Sequence, residues 1–272
     1  MILRSVDVSI TLSILNKLGE VKRKQDAEKN VYLGYKEEYQ DGDMIQIDLS
    51  TKNNYLMVKL DSAINESLIY VPGNQWKYPV ITETFRTAYP PNLFKGDRHY
   101  LSVRYAMDQE VSQYRNVALN PHDQKESSEA FPHASANVET RDETTFYARN
   151  AIDGILANEY HGRFPYQSWG INQDPNAMLR IDFGRTVKIN ALGFILRGDY
   201  PHDSYWTQGT VTFSSGNEQI FVFNKLMEEQ CFEIEEQEIE WLELHSLIKA
   251  KDESVFPALT QLSVYGKDKF TK

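Results

Sequence analysis

The segment from Arg197 to Trp206 is rich in side chains that make hydrogen bonds or present a flat apolar face, in the order Arg-Gly-Asp-Tyr-Pro-His-Asp-Ser-Tyr-Trp. Sugar recognition uses both kinds, because an aromatic ring packs on the C–H side of a pyranose while planar donors and acceptors pair with its hydroxyls. The alternative is a connecting loop that folds on its own hydrogen bonds, with Trp206 in the core. The residues of this segment that we predict to bind ligand are Arg197, Asp199, His202, Asp203, Tyr205 and Trp206.

The spacing within this segment predicts a single pocket. Gly198 and Pro201 favour a sharp turn, and such a turn brings the side chains at its two ends together. Arg197 follows an apolar stretch, so its aliphatic stem can be anchored while the guanidinium faces outward. We therefore expect Arg197, His202 and Trp206 to converge on one solvent-open pocket, with Trp206 as its flat wall.

A second group with the same composition spans residues 161–172, His-Gly-Arg-Phe-Pro-Tyr-Gln-Ser-Trp-Gly-Ile-Asn. His161 and Arg163 are the ligand-binding candidates of this group. Trp169 is expected to be structural, because a tryptophan side chain buries a large area.

Motifs of common enzyme classes are missing from the sequence. It contains no G-x-S-x-G, no phosphate-binding P-loop and no glycine-rich dinucleotide fingerprint. His133, His161 and His202 fall in the same half of the chain, which leaves open a hydrolase or isomerase acting on a sugar-like substrate between two domains. The histidine spacing matches no H-x-x-x-H or H-E-x-x-H metal motif.

Charge and cysteine content predict which classes of partner the protein lacks and where in the cell it is located. The formal net charge is −10 and the sequence pI is about 5.2, so phosphate backbones and anionic lipids would be repelled, and neither nucleic acid nor membrane is expected as a partner. The chain has one cysteine, Cys231, and its first residues lack the apolar core of an export signal. These features predict a cytoplasmic location.

The length of 272 residues and the pattern of short alternating segments predict two all-β domains. Alternation over residues 5–10 predicts a strand, whereas leucines three apart in residues 11–29 allow a short helix that Gly19 would weaken. The polar run at 123–129 is the best linker. The predicted domains are residues 1–125, an N-terminal β-sandwich, and residues 126–272, a second β-sandwich.

Four segments of the second half, in order, resemble the discoidin family, also called the coagulation-factor type C domain. They are Ala134-Ser-Ala-Asn with Ala148-Arg-Asn-Ala-Ile-Asp-Gly154, Ser168-Trp169, Leu179-Arg-Ile-Asp-Phe-Gly184 and Gln261-Leu-Ser-Val-Tyr-Gly266. The resemblance implies a jelly-roll sandwich of the galactose-binding type, as found in many bacterial sugar-binding modules. The first half resembles the same superfamily more loosely, through residues 39–43 and 55–61.

The resemblance also implies where ligands bind. The 161–172 loop would lie near the ligand-binding end of the sandwich. Many members hold a structural calcium near the Asp-Gly turn and the last strand, which here means Asp153 and Gln261. Gln261 stands where the family usually has glutamate, and an uncharged amide is a weaker ligand for calcium. No other cofactor is predicted.

The leading function hypothesis is therefore a non-catalytic protein that binds a saccharide or glycoconjugate through loops at one end of the C-terminal sandwich. The alternatives are the sugar-acting hydrolase or isomerase, and a structural or scaffolding protein that pairs with its own copies or with another protein.

Overall fold

The structure, a computed structural model, describes residues 9–126, 129–200 and 204–269. Over these residues the chain is an all-β protein whose strands pair in antiparallel fashion in three sheets. The strands are β1 Ile10–Leu15, β2 Val21–Ala27, β3 Asn30–Tyr35, β4 Met44–Leu49, β5 Asn54–Lys59, β6 Ser67–Val71, β7 Gln75–Pro79, β8 His99–Tyr105, β9 Arg115–Asn116, β10 His133–Ala136, β11 Trp169–Gly170, β12 Leu179–Leu196, β13 Trp206–Phe213, β14 Glu218–Val222, β15 Gln230–Lys249 and β16 Ala258–Asp268.

Two four-stranded sheets occupy the first half, in the orders β2-β1-β4-β7 and β3-β8-β5-β6. Their strands alternate between buried and more exposed residues. In β4, for example, Ile45, Ile47 and Leu49 are buried and the residues between them are partly exposed. Because apolar residues at every second position point to one face, buried side chains of both sheets meet in one hydrophobic cluster.

The third sheet has the order β11-β16-β12-β15-β13-β14, with β10 and β9 added beside β12 and β16. The long strand β12 lies between β15 and β16, and both pairings have register shifts of the kind that β-bulges produce. A second hydrophobic cluster fills this part of the molecule and includes Trp169, Phe194 and Trp206. The segments 179–184 and 261–266, which resemble strands of the discoidin family, both lie in strands of this sheet.

The amino-terminal end of the described chain corrects one expectation. Residues 11–29 form no helix; they lie almost entirely in the hairpin of β1 and β2. The reason lies in the turn, where Gly19 has a φ of +81° and the side chain of Asn16 accepts hydrogen bonds from the backbone of Leu18 and Glu20. A glycine in the left-handed region ends a helix but suits a hairpin. The strand predicted at 5–10 falls mostly on residues 1–8, outside the described residues.

Helical segments are short. They comprise the α-helix Asp108–Ser112 and the 3₁₀ segments Glu83–Ala88, Thr140–Asp142, Thr144–Phe146 and Ala148–Ile152. Across the described ranges, none of the helices has the length and apolar character needed to cross a membrane.

Residues on either side of the predicted linker pair with strands of the opposite half. β9, from the first half, pairs with β16, and Phe131, from the second, forms an isolated bridge with Tyr70 of β6. Ala130 belongs to the hydrophobic cluster of the first half. A domain boundary at residues 125 and 126 stays a prediction, as does a second galactose-binding-like sandwich in the first half.

Candidate functional site

A cavity opens at the edge of the third sheet where β12 ends and β16 begins. These ends are neighbours, since Leu196 pairs with Leu259 and the backbone N–H of Arg197 donates to the Ala258 carbonyl at 3.0 Å. We call it the Arg197 cavity; its volume is about 290 Å³. Its lining residues are Thr140, Arg141, Phe146, His161, residues 170–173, Arg197 and residues 256–258.

Arg197 is held by the turn that follows β12. Its side chain is 4% exposed and donates a hydrogen bond to the Phe256 carbonyl. The side-chain amide of Asn158 donates to the carbonyls of Leu196 and Met227, each at 2.8 Å, and the Gly198 N–H donates to the Asn158 carbonyl, also at 2.8 Å. Asn158 therefore anchors both sides of the turn, so that the guanidinium has a defined place in the cavity wall.

His161 lines the same cavity and pairs with Asp199, which is not itself among the lining residues. His161 Nδ1 lies 2.5 Å from an Asp199 carboxylate oxygen, and the His161 side chain is 51% exposed whereas that of Asp199 is 11% exposed. A buried carboxylate bonded to one ring nitrogen sets the orientation of the imidazole. The structure thus brings His161, Arg197 and Asp199, from both polar-aromatic segments, to one place.

Trp206, which the sequence predicts as the flat aromatic wall of the pocket, does not line the Arg197 cavity. Trp206 is 1% exposed and lies in the hydrophobic core, with its ring centroid 6.2 Å from that of Trp169, so the prediction that Trp206 faces a solvent-open pocket is wrong. Tyr205 is partly buried against the same core and stands edge-on to Tyr200, with ring centroids 6.5 Å apart; it does not line the Arg197 cavity.

The exposed aromatic side chain of the cavity is Phe256, which sequence reasoning missed. It is 47% exposed and its carbonyl accepts the hydrogen bond from Arg197. The sequence contains a feature that could have identified Phe256. Val255 and Phe256 form an apolar pair that follows the polar run Lys-Asp-Glu-Ser and precedes the closing strand. A large apolar residue in such a loop has no strand alternation to place it in the core.

Three predicted ligand-binding residues remain, namely Arg163, His202 and Asp203. Arg163 is exposed and lines an adjacent groove together with His161, but does not line the Arg197 cavity. His202 and Asp203 lie outside the described residues.

Backbone strain is concentrated around the cavity. Arg141, Asp142, Asn172 and Gln173 have φ values of 54°, 53°, 49° and 61°, in the left-handed region that side chains other than glycine rarely adopt. Such residues cost free energy and persist where the surrounding structure holds them, often at ligand sites. Here the Thr140 hydroxyl accepts a hydrogen bond from the Asn172 N–H at 2.9 Å and so ties the two strained segments together.

Gly170 is needed for this contact. A Cβ at position 170 would lie 2.7 Å from Thr140 Oγ1 and 3.1 Å from a Phe146 ring carbon. Only glycine allows the 140–146 and 170–173 segments to approach so closely, and together they form one wall of the cavity.

The two predicted calcium ligands, Asp153 and Gln261, instead contact other groups of the protein. The Asp153 carboxylate lies 3.5 Å from the Arg149 guanidinium and accepts hydrogen bonds from the Gln167 amide and the Ile155 N–H, both at 2.8 Å. Gln261 Oε1 accepts from the Gly154 N–H at 3.1 Å. A guanidinium beside the carboxylate would repel a second cation, so these residues do not fit calcium.

Burial raises the pKa of Asp153 to about 6, although Arg149 and the hydrogen bond from Gln167 oppose that shift. Elsewhere in the described part of the chain, no three His, Cys, Asp or Glu side chains are grouped as a metal site would need.

His133, a candidate for sugar-acting catalysis, has a different environment from His161. Its Nδ1 lies 2.8 Å from one oxygen of Asp123, and the other oxygen accepts the Ala134 N–H at 2.9 Å. His133 is largely buried and does not line the Arg197 cavity. These contacts are those of a structural clasp between β10 and the segment that precedes it.

The clasp predicts a pH-dependent stability. Burial lowers the pKa of His133, but the hydrogen bond and charge of Asp123 outweigh it, so the net shift is upward. A raised pKa in the folded state adds stability below the unfolded value of about 6.5, and that stability is lost as pH rises through the folded pKa. We expect the free energy of unfolding to fall with rising pH above about 6.5, and His133→Gln to remove this part of the dependence.

Urea unfolding of both proteins between about pH 5.5 and 8.5 measures the effect. His245→Gln is the control, because the His245 ring nitrogens contact the hydroxyls of Thr212 and Ser246. An unchanged slope in His133→Gln would contradict the prediction.

The comparisons with known proteins are structural. The chain is similar over about half its length to galactose-binding-like lectin domains and carbohydrate-binding modules. A mutant of the lectin-binding domain of lectinolysin, solved with Lewis b, matches with 16% identity and a TM-score of 0.43, covering 57% of this chain and 99% of its own. A Streptococcus pneumoniae fucose-binding module matches with 13% identity and a TM-score of 0.41, covering 56% of this chain and 98% of its own.

A family 32 carbohydrate-binding module from C. perfringens NanJ, solved with galactose, matches with 19% identity and a TM-score of 0.37, covering 48% of this chain and 91% of its own. Neither the scan against protein-family models nor the search of curated proteins found a match.

Proposed function

We propose that this protein binds a saccharide, without catalysis, in the Arg197 cavity. The observation that carries the proposal is that Arg197, His161 and the exposed ring of Phe256 line one depression, with Asp199 holding the His161 ring. A guanidinium and an imidazole held in fixed positions are planar hydrogen-bonding groups suited to vicinal hydroxyls. Phe256 supplies the apolar face that packs on the C–H side of a sugar ring.

The amide side chains of Asn172 and Gln173 add further donors and acceptors. Both residues are exposed and line the cavity. Their backbone is strained, which supports a site whose geometry is fixed before the ligand arrives. The conformational entropy of these residues is then lost when the protein folds, so that it does not weaken ligand binding.

The cavity size supports a small ligand. At about 290 Å³ it lies at the lower end of ligand sites, which commonly measure about 300–1,000 Å³. A single sugar unit, or the terminal unit of a longer glycan, is the ligand we propose.

Replacing Phe256 with alanine should weaken saccharide binding about tenfold, the loss expected for one aromatic stacking contact with its buried area. The fold should be unaffected, because the Phe256 side chain is half exposed and its backbone carbonyl, which accepts from Arg197, is retained. Calorimetric titration at millimolar galactose, fucose, glucose and N-acetylglucosamine measures the affinity.

Tyr32→Ala is the matched control. Tyr32 is also exposed, at 58%, but lies on β3 of the first half. Absence of binding to any sugar of the panel by the native protein, or equal affinity of the native and Phe256→Ala proteins, would overturn the proposal.

A cytoplasmic location, a homo-oligomer and a protein partner remain predictions of the sequence. The His161–Asp199 pair is proposed here as a binding element, since His133 is engaged with Asp123 and is buried apart from the cavity lining.

A further inference from the structure

A second depression adjoins the Arg197 cavity. Its volume is about 450 Å³, and it is lined from the first half by Phe85 and Thr87 and from the second half by residues 141–147 and 161–163. We call it the Phe85 groove. Arg141, Phe146 and His161 line both spaces, so the groove continues directly from the cavity.

The two walls of the groove are bonded to each other. The hydroxyls of Thr87 and Thr144 lie 2.5 Å apart, and the Phe164 N–H donates to the Thr87 carbonyl at 2.9 Å. These bonds join the 3₁₀ segment Glu83–Ala88 of the first half to loops of the second half. The groove is therefore a fixed feature of the folded chain, to which both halves contribute.

The groove has the same kinds of side chain as the cavity. Phe85 is 52% exposed and offers an aromatic face, as Phe256 does in the cavity. Arg163 is an exposed guanidinium. At the junction, Arg141 donates to both carboxylate oxygens of Glu143, at 2.8 and 3.0 Å, which holds a planar donor group and a planar acceptor group side by side.

We propose that the Phe85 groove is a second subsite, which takes the next unit of an oligosaccharide whose terminal unit occupies the Arg197 cavity. This inference rests on the proposed function and extends it from a single sugar to a chain of at least two units. The ligand class follows from continuity and composition, because one extended molecule must pass His161 and Phe146 to fill both spaces. It assigns the first half of the chain a direct part in ligand recognition, through Phe85.

The test compares ligand lengths. Native protein, Phe85→Ala, Phe256→Ala and the control Tyr32→Ala are titrated with the monosaccharide that binds best and with disaccharides and trisaccharides carrying that unit at either end. The native protein should bind the correct longer sugar about tenfold more tightly than the monosaccharide. Phe85→Ala should remove that gain and leave monosaccharide affinity unchanged, whereas Phe256→Ala should weaken both.

The two proposals fail differently. Equal native affinity for the monosaccharide and for all longer sugars, or a Phe85→Ala loss that is the same for both lengths, overturns the second subsite and leaves the Arg197 cavity standing. Monosaccharide binding that is insensitive to Phe256→Ala overturns the cavity itself, and no binding at any length overturns both. Saturation-transfer NMR gives an independent readout, since protons of the second sugar unit should receive saturation from the native protein but not from Phe85→Ala.

Discussion

Trp206→Ala should lower the free energy of unfolding by about 3–5 kcal/mol, the range found when a buried tryptophan or phenylalanine is truncated. Trp206 is 1% exposed and packs beside Trp169 in the hydrophobic cluster formed by buried residues of the third sheet and its loops. Truncation would leave a cavity that neighbouring side chains, fixed by long paired strands, cannot close. Denaturant unfolding followed by circular dichroism measures the loss.

Trp241→Ala is the matched control for this prediction. Trp241 is only partly buried, on β15, and the Arg180 guanidinium lies 4.2 Å from its ring centroid. Loss of a surface tryptophan with a cation–π contact should cost less, on the order of 1 kcal/mol. A Trp206→Ala protein as stable as the native one but unable to bind sugar would place Trp206 at the ligand and contradict its core assignment.

Arg197→Ala should weaken saccharide binding about 30-fold or more, which corresponds to about 2 kcal/mol, the loss typical of a binding hot spot. Two effects add. A charged side chain of the cavity lining is lost, and the Phe256 carbonyl loses its donor, so the loop carrying the stacking ring is less well held. Calorimetric titration with the sugar that binds the native protein measures the affinity.

Arg197→Lys separates charge from geometry. Lysine keeps the positive charge but lacks the planar fork, so we expect it to restore only part of the affinity. Arg98→Ala, which removes an exposed guanidinium beside Asp97, should leave binding unchanged. Native-like affinity in Arg197→Ala, with an unchanged melting temperature, would refute the role of Arg197.

The strands of this protein were largely predictable, because alternation of apolar and polar residues has the same period as a strand. Met44–Leu49 shows this in sequence and in burial alike. The error in residues 11–29 has a clear cause. Leucines at 12, 15 and 18 fit a helical face, but three residues carry little periodic information, and the turn formed by Asn16 and Gly19 decided the outcome.

The candidate site was predictable in part. The polar-aromatic composition of the 161–172 and 197–206 segments pointed to His161, Arg197 and Asp199, which the fold brings together. It could not distinguish Trp206 from Phe256. Both are aromatic residues at strand beginnings or just before them, and which one faces solvent depends on where the strand starts and how it pairs.

The sequence by itself determined the all-β class, the approximate strands of the second half and the two segments rich in hydrogen-bonding and aromatic residues, because these follow from local period and composition. Only the tertiary structure decided which residues meet. The pairing of β12 with β16 places Phe256 beside Arg197 although 58 residues separate them in the chain. Arg149 is buried against Asp153 where calcium was expected, and Phe85 lines a groove together with residues of the other half. Contacts between distant segments depend on packing and strand register, and no short stretch of sequence contains either.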